Sequence, residues 1–179
     1  MLTNNYKNAL KKIAWGYVFI YFSLNLGPVD ALPVWVGYIL LLQALDGVAE
    51  REPSAGLLKP FAFVLITVEL VRWVLAWFSG SLVMPWISVI TGIIGLYFHF
   101  QLLTNLSEIA ENTDSCRPER LLRLRTLNVL LTTVLSLPFR YEIMEWIVTL
   151  GSIAVVAFII QVLIVLNQMK TSGYLNRFR

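Results

Sequence analysis

Six long apolar runs, each closed off by proline, glycine or charge, constrain this chain more than any other feature. They cover Leu10–Leu26, Pro33–Ala49, Pro60–Ser79, Pro85–Ile109, Leu121–Leu137 and Tyr141–Met169. A helix crossing a ~30 Å hydrocarbon core needs ~20 residues, with ~17 as the practical minimum. The first, second and fifth runs sit near that minimum; the fourth and sixth exceed it. Pro33, Pro60, Pro85, Pro118 and Pro138 fall at or between run ends, where a missing N–H is tolerated. Membrane strands alternate over ~10 residues, which these runs do not, and lipid obliges the backbone to bond to itself, so helices follow. With 58% hydrophobic and 14% charged residues, the chain also lacks the polar surface that a soluble fold of this size requires. The expectation is an all-α integral membrane protein, a single six-helix transmembrane domain over residues 1–179.

Lysine and arginine alone set the orientation of such a bundle. With the N-terminus inside, the cytoplasmic segments hold Lys7, Lys11, Lys12, Arg51, Lys59, Arg117, Arg120, Arg123, Arg125, Lys170, Arg177 and Arg179, twelve of the 14 basic residues. Only Arg140 falls in an external loop, and Arg72 lies within the third run. Both termini are therefore expected to be cytoplasmic and the chain to be multi-pass in a cell membrane. Three other readings compete. The first run resembles a cleaved signal peptide, against which stand its aromatic residues and the membrane-bound remainder. The first two runs could form a re-entrant hairpin. The fifth could lie in the interface, since Arg123, Arg125, Asn128, Thr132 and Thr133 give it a polar side.

The runs pair into three αα-hairpins across the short turns Gly27–Leu32, Gly80–Met84 and Pro138–Arg140. Segments ending in Glu50 and Glu111 match, as do Phe98-x-x-Gln101 and Phe158-x-x-Gln161. A threefold repeat and the chance similarity of Leu-rich helices both account for these echoes.

Glu69 and Arg72 are the most informative residues, because they sit in the middle of the third run, three apart on one helical face. A lone charge near the bilayer centre costs roughly 2.5–3.5 kcal/mol, so both should face the bundle interior or a wet cavity. Either they form a structural ion pair, or they anchor a charged solute or relay protons. Trp73 is a candidate neighbour, by cation–π contact or as a ligand platform. His99, the only histidine, shares a face with Ser88, Gly92 and Gly95. That pattern suits close helix packing with an interhelical hydrogen bond, and a proton relay is the sharper alternative.

Polar stripes run along Tyr17, Tyr21 and Asn25, along Asn128, Thr132 and Ser136, and along Glu142, Glu145, Thr149 and Ser152. Together they suggest a polar internal cavity, with Glu142 and Glu145 as its outer candidates. Most tryptophans fall near run ends, as an aromatic belt requires. One histidine and one cysteine cannot supply a metal site, no cofactor is implied, and the pI of 9.1 fits the inner leaflet rather than nucleic acid.

Catalytic signatures such as G-x-S-x-G, H-E-x-x-H and the P-loop are missing from the sequence. Glu69-Leu-Val-Arg72 with His99 lacks the adjacent glutamates and second histidine of glutamate-type intramembrane proteases. The stretch Trp15-Gly-Tyr-Val-Phe-Ile-Tyr-Phe-Ser-Leu-Asn-Leu-Gly27, followed by Leu32-Pro-Val-Trp-Val-Gly-Tyr-Ile-Leu40, resembles a group of small uncharacterised bacterial multi-pass membrane proteins. The resemblance covers the first quarter of the chain and implies no activity. In size and helix number the chain is also similar to the substrate-binding subunits of energy-coupling-factor vitamin transporters. The leading expectation is a non-catalytic protein that binds or moves a small solute, or a subunit of a membrane complex. A membrane-embedded enzyme acting on lipid or peptide and a purely structural assembly factor are the alternatives. A tightly paired Glu69–Arg72 would favour a structural role, an outward cavity lined by them would favour solute binding, and Glu69 within ~3 Å of His99 would favour the enzyme.

Overall fold

The computed structural model describes residues 4–22, 25–26, 29–30, 33–77, 85–113, 116–136 and 141–175. Six α-helices account for nearly all of them: α1 (Asn4–Tyr21), α2 (Val34–Ala49), α3 (Lys59–Trp77), α4 (Pro85–Thr113), α5 (Pro118–Ser136) and α6 (Tyr141–Leu175). A 3-10 turn, Pro53–Leu58, leads into α3. Between α1 and α2, Asn25 pairs with Asp30 and Leu26 with Val29 in a two-residue antiparallel ladder. The centres of the three inter-helix turns lie outside the described residues.

Helix ends follow local chemistry rather than the apolar runs. Pro85 and Pro118 open α4 and α5 at the position where their missing N–H leaves no bond unmade. Glu52 caps the 3-10 turn by accepting from the Ser54 N–H. α1 begins six residues before its apolar run, because Tyr6 is buried and carries the packing outward. α4 and α6 likewise outlast their runs, since a polar exposed turn continues a helix readily.

Each helix packs against its neighbours in sequence, and α6 packs back on α1, so the bundle closes into a ring. Successive helices are antiparallel, as their contacts show: Asn5 with Glu50, Asp46 with Lys59, Arg72 with Ser88, Thr104 with Arg125 and Arg120 with Gln168. The helical stretches Pro53–Trp77, Trp86–Thr113 and Thr149–Thr171 are long and apolar enough to cross a membrane; α2 is apolar but shorter. The polarity of the molecule is inverted relative to a soluble bundle. Ile90, Ile93, Leu127, Leu130 and Ile153 are exposed, while His99, Asn105 and Asn128 are buried. An apolar surface of this extent needs an apolar solvent. The fold is that of a helical membrane protein.

The most extensive contact joins α1 to α2. A Cβ at Gly16 would stand 3.0 Å from the Gly37 carbonyl oxygen, and a Cβ at Gly37 would stand 2.8 Å from the Gly16 oxygen. Further along, a Cβ at Gly47 would lie 2.9 Å from the Asn5 oxygen. The two backbones therefore touch, as small residues allow in membrane helix pairs. The face Ser88, Gly92, Gly95 does not play this part. Gly92 faces open space, and a Cβ at Gly95 would meet only ordinary contacts with Tyr38 and Leu65. Gly16→Leu or Gly37→Leu should therefore destabilise the protein by about 1–3 kcal/mol through overpacking. Gly56→Ala, where nothing approaches within 4 Å, should not. Unfolding in detergent, followed by circular dichroism, measures both.

Candidate functional site

Tyr17 and Tyr38 flank the two glycines of the α1–α2 contact, which turns both rings toward the middle of the bundle. There they meet His99 of α4, with ring centroids 5.3 Å and 5.8 Å from the imidazole. Phe98 stands edge-on to the histidine, and Phe158 of α6 stands edge-on to Tyr17 and Tyr21. Tyr21 stacks on Tyr17 and donates a 2.7 Å hydrogen bond to Asn128 Oδ1 of α5, which also accepts from Thr132. Five helices thus converge on one aromatic cluster with polar atoms inside it.

Its hydrogen bonding is incomplete. Tyr38 Oη lies 3.4 Å from His99 Nε2. Whichever tautomer is present, His99 Nδ1 is left without a partner, and so is Tyr17 Oη. His99 is 5% exposed and Tyr17 is 0% exposed, so water outside the bundle does not compensate them. Buried polar atoms normally find partners, and two orphans in one cluster are a departure that calls for an occupant or a cost.

Glu69 and Arg72 form a separate, neighbouring group. Arg72 donates to Glu69 Oε1 at 2.9 Å and to Ser88 Oγ of α4 at 3.2 Å. Ser88 is in the first turn of α4, and α3 ends five residues beyond Arg72. Arg72 therefore lies about 7.5 Å from that end at a rise of 1.5 Å per residue, while Glu69, nearly one turn earlier, stands at the middle of α3. The pair is not fully interior: the side chains are 39% exposed for Arg72 and 19% for Glu69. Trp73 packs edge-on against Trp35 and Trp77, forming an aromatic cluster at this level. Tyr38, which touches His99, is also within electrostatic reach of both charges. Glu69 makes no hydrogen bond to His99, whose contacts are those already given.

Of the other sequence candidates, Glu142 and Glu145 lie on α6 where the side chains are outside the described residues. Thr149 and Ser152, on the same stripe, are exposed. Among the described residues no three histidine, cysteine, aspartate or glutamate side chains gather as metal ligands would.

The opposite end of the bundle carries a second set of polar contacts around its apolar core. Buried Asn105 clamps the 3-10 turn: its Oδ1 accepts from the Ala55 N–H and its Nδ2 donates to Ser54 Oγ, both at 3.2 Å. Arg125 donates to Thr104 and lies over the Phe100 ring. Arg51 lies over Tyr6, whose phenol is pushed up by burial and pulled down by that guanidinium. Glu50 and Arg51, with Ile109, Asn112 and Thr113, line a cleft of about 410 Å³. Half-buried Cys116 has its thiol pushed up by burial, with Arg120 acting the other way, so it is no activated nucleophile.

Compared with protein-family models, curated proteins and solved structures, the chain matches none. Function has to be argued from the site.

Tyr21 and Tyr17 should respond oppositely to loss of a hydroxyl. Tyr21→Phe leaves the Asn128 carbonyl poorly satisfied in a buried position and should cost about 1–3 kcal/mol. Tyr17→Phe removes an orphan and should be neutral or mildly stabilising. Paired detergent unfolding curves would show equal losses if the cluster geometry were otherwise.

Proposed function

We propose that this chain is a six-span protein of a bacterial cell membrane, with both termini cytoplasmic, that acts as a non-catalytic subunit of a membrane complex. The arrangement of α5 supports six spans. Asn128 and Arg125 on its polar side face neighbouring helices, while Leu127, Leu130 and Val134 are exposed beside Arg123, Thr126 and Thr133. An interfacial helix would present its polar side to water. α1 and α2 run alongside one another for their full length, so they span or stop together. The lysine and arginine distribution supplies the orientation.

One observation carries the subunit reading. Glu69 and Arg72 form a charge pair that α2 and α4 cover only in part; the fully buried residues of α3, Ala62 and Leu65, both lie in its first half. Polar groups on a membrane helix seek a polar cover, and another chain provides one. A second reading, binding of a small polar solute, is favoured by the orphaned Tyr17 Oη and His99 Nδ1. Glu69 bonds to Arg72 and shares no hydrogen bond with His99 among the described residues, which speaks against the enzyme.

The subunit reading expects a complex larger than the monomer in mild-detergent native mass spectrometry. Replacing Glu69 and Arg72 together by glutamine should dissolve it, yet shift unfolding by no more than about 1 kcal/mol, as for other exposed pairs. A complex unaffected by that double change would refute this role for the pair. A co-purified small molecule lost on His99→Phe would instead establish the solute reading. Reporters fused to either terminus should both read as cytoplasmic.

A further inference from the structure

We infer that the partner at this face is a second copy of the chain, docked across α4 at Gly92; the inference rests on the subunit reading above. Two independent observations meet there. First, Ser88 and Gly92 form a small-x-x-x-small step, and a side chain at Gly92 would meet nothing within 4 Å. The flanking Val89 and Ile93 are exposed as well. Such a step lets two membrane helices cross with their backbones in contact; within this bundle Ser88 accepts from Arg72, while Gly92 stays open.

Second, the adjoining charges are self-complementary. Glu69 gives one carboxylate oxygen to Arg72, while its other oxygen takes no hydrogen bond among the described residues. Two copies in one membrane share their orientation, so their symmetry axis runs along the bilayer normal and each presents the same patch to the other. Every such pairing brings one acid and one base from each side. Glu69 of each copy then has Arg72 of the other as a second partner. The result is a neutral four-charge cluster shielded from lipid, bordered by Trp77 and Trp86, which are exposed in the single chain. An unrelated partner helix would have to supply this charge pattern separately.

Gly92→Leu tests the proposal without disturbing the monomer, since the added atoms enter open space. The full chain carrying Cys116→Ser, with Val89→Cys as the probe, is reconstituted in phosphatidylethanolamine–phosphatidylglycerol vesicles and oxidised. A disulfide-linked dimer is expected from Val89→Cys and not from the control Leu130→Cys on α5. Gly92→Leu should lower the dimer yield at least tenfold at an unchanged unfolding midpoint. Native mass spectrometry of the unlinked protein gives a second measurement that needs no variant. A Gly92→Leu protein as dimeric as the parent overturns the proposal. A complex with a different chain and no self-association overturns it while leaving the subunit reading intact. A monomer carrying lipid alone overturns both.

Discussion

The backbone contact between Gly16 and Gly37 sets the geometry on which the rest of the core depends. Neither glycine turns the chain; each removes a side chain so that two helices can approach to touching distance. Tyr17 and Tyr38 follow them directly in sequence, so the same approach delivers two phenols to His99 from two helices. A wider α1–α2 spacing would carry those rings apart and leave the imidazole among aliphatic side chains. The polar cluster is thus a consequence of packing, fixed by residues that bear no polar group.

The inverted polarity of the bundle has a matching logic. Lipid gives no hydrogen bonds, so side-chain donors and acceptors at depth have to find one another. Asn128 with Tyr21, Asn105 with the 3-10 turn and Thr104 with Arg125 are examples. Against this background the orphaned atoms of Tyr17 and His99 stand out, as does a charged pair on an outward face.

Much of the architecture was legible in the sequence. The apolar runs located six helices, because burial in lipid demands apolarity over a whole span rather than on one face. The helix limits were less legible, since α1 and α6 extend through polar turns that hydropathy does not distinguish from loops. The stripes Tyr17–Tyr21 and Asn128–Thr132 were visible separately; their meeting was not, because spacing within a helix carries no information about which helix it faces. Glu69 and Arg72 stood out in the sequence as charges inside an apolar run, but the bond from Arg72 to Ser88 on the next helix was not readable from spacing within one helix. Tyr38, one aromatic among many in the apolar runs, carries no spacing signal that sets it apart, because its contact with His99 is made between helices.

The closure of α6 onto α1 means that the cluster is assembled from both extremes of the chain. A ribosome feeding this protein into a membrane releases α1 well before α6. Tyr17 and Tyr21 therefore wait through three intervening helices before Asn128 arrives on α5, and one helix more before Phe158 covers them. During synthesis the α1–α2 glycine contact can hold the early pair together, but the phenols beside it stay open to lipid or to an insertion chaperone. The polar core is complete only once α6 has arrived, and a chain stopped short of α6 would leave that core unsealed.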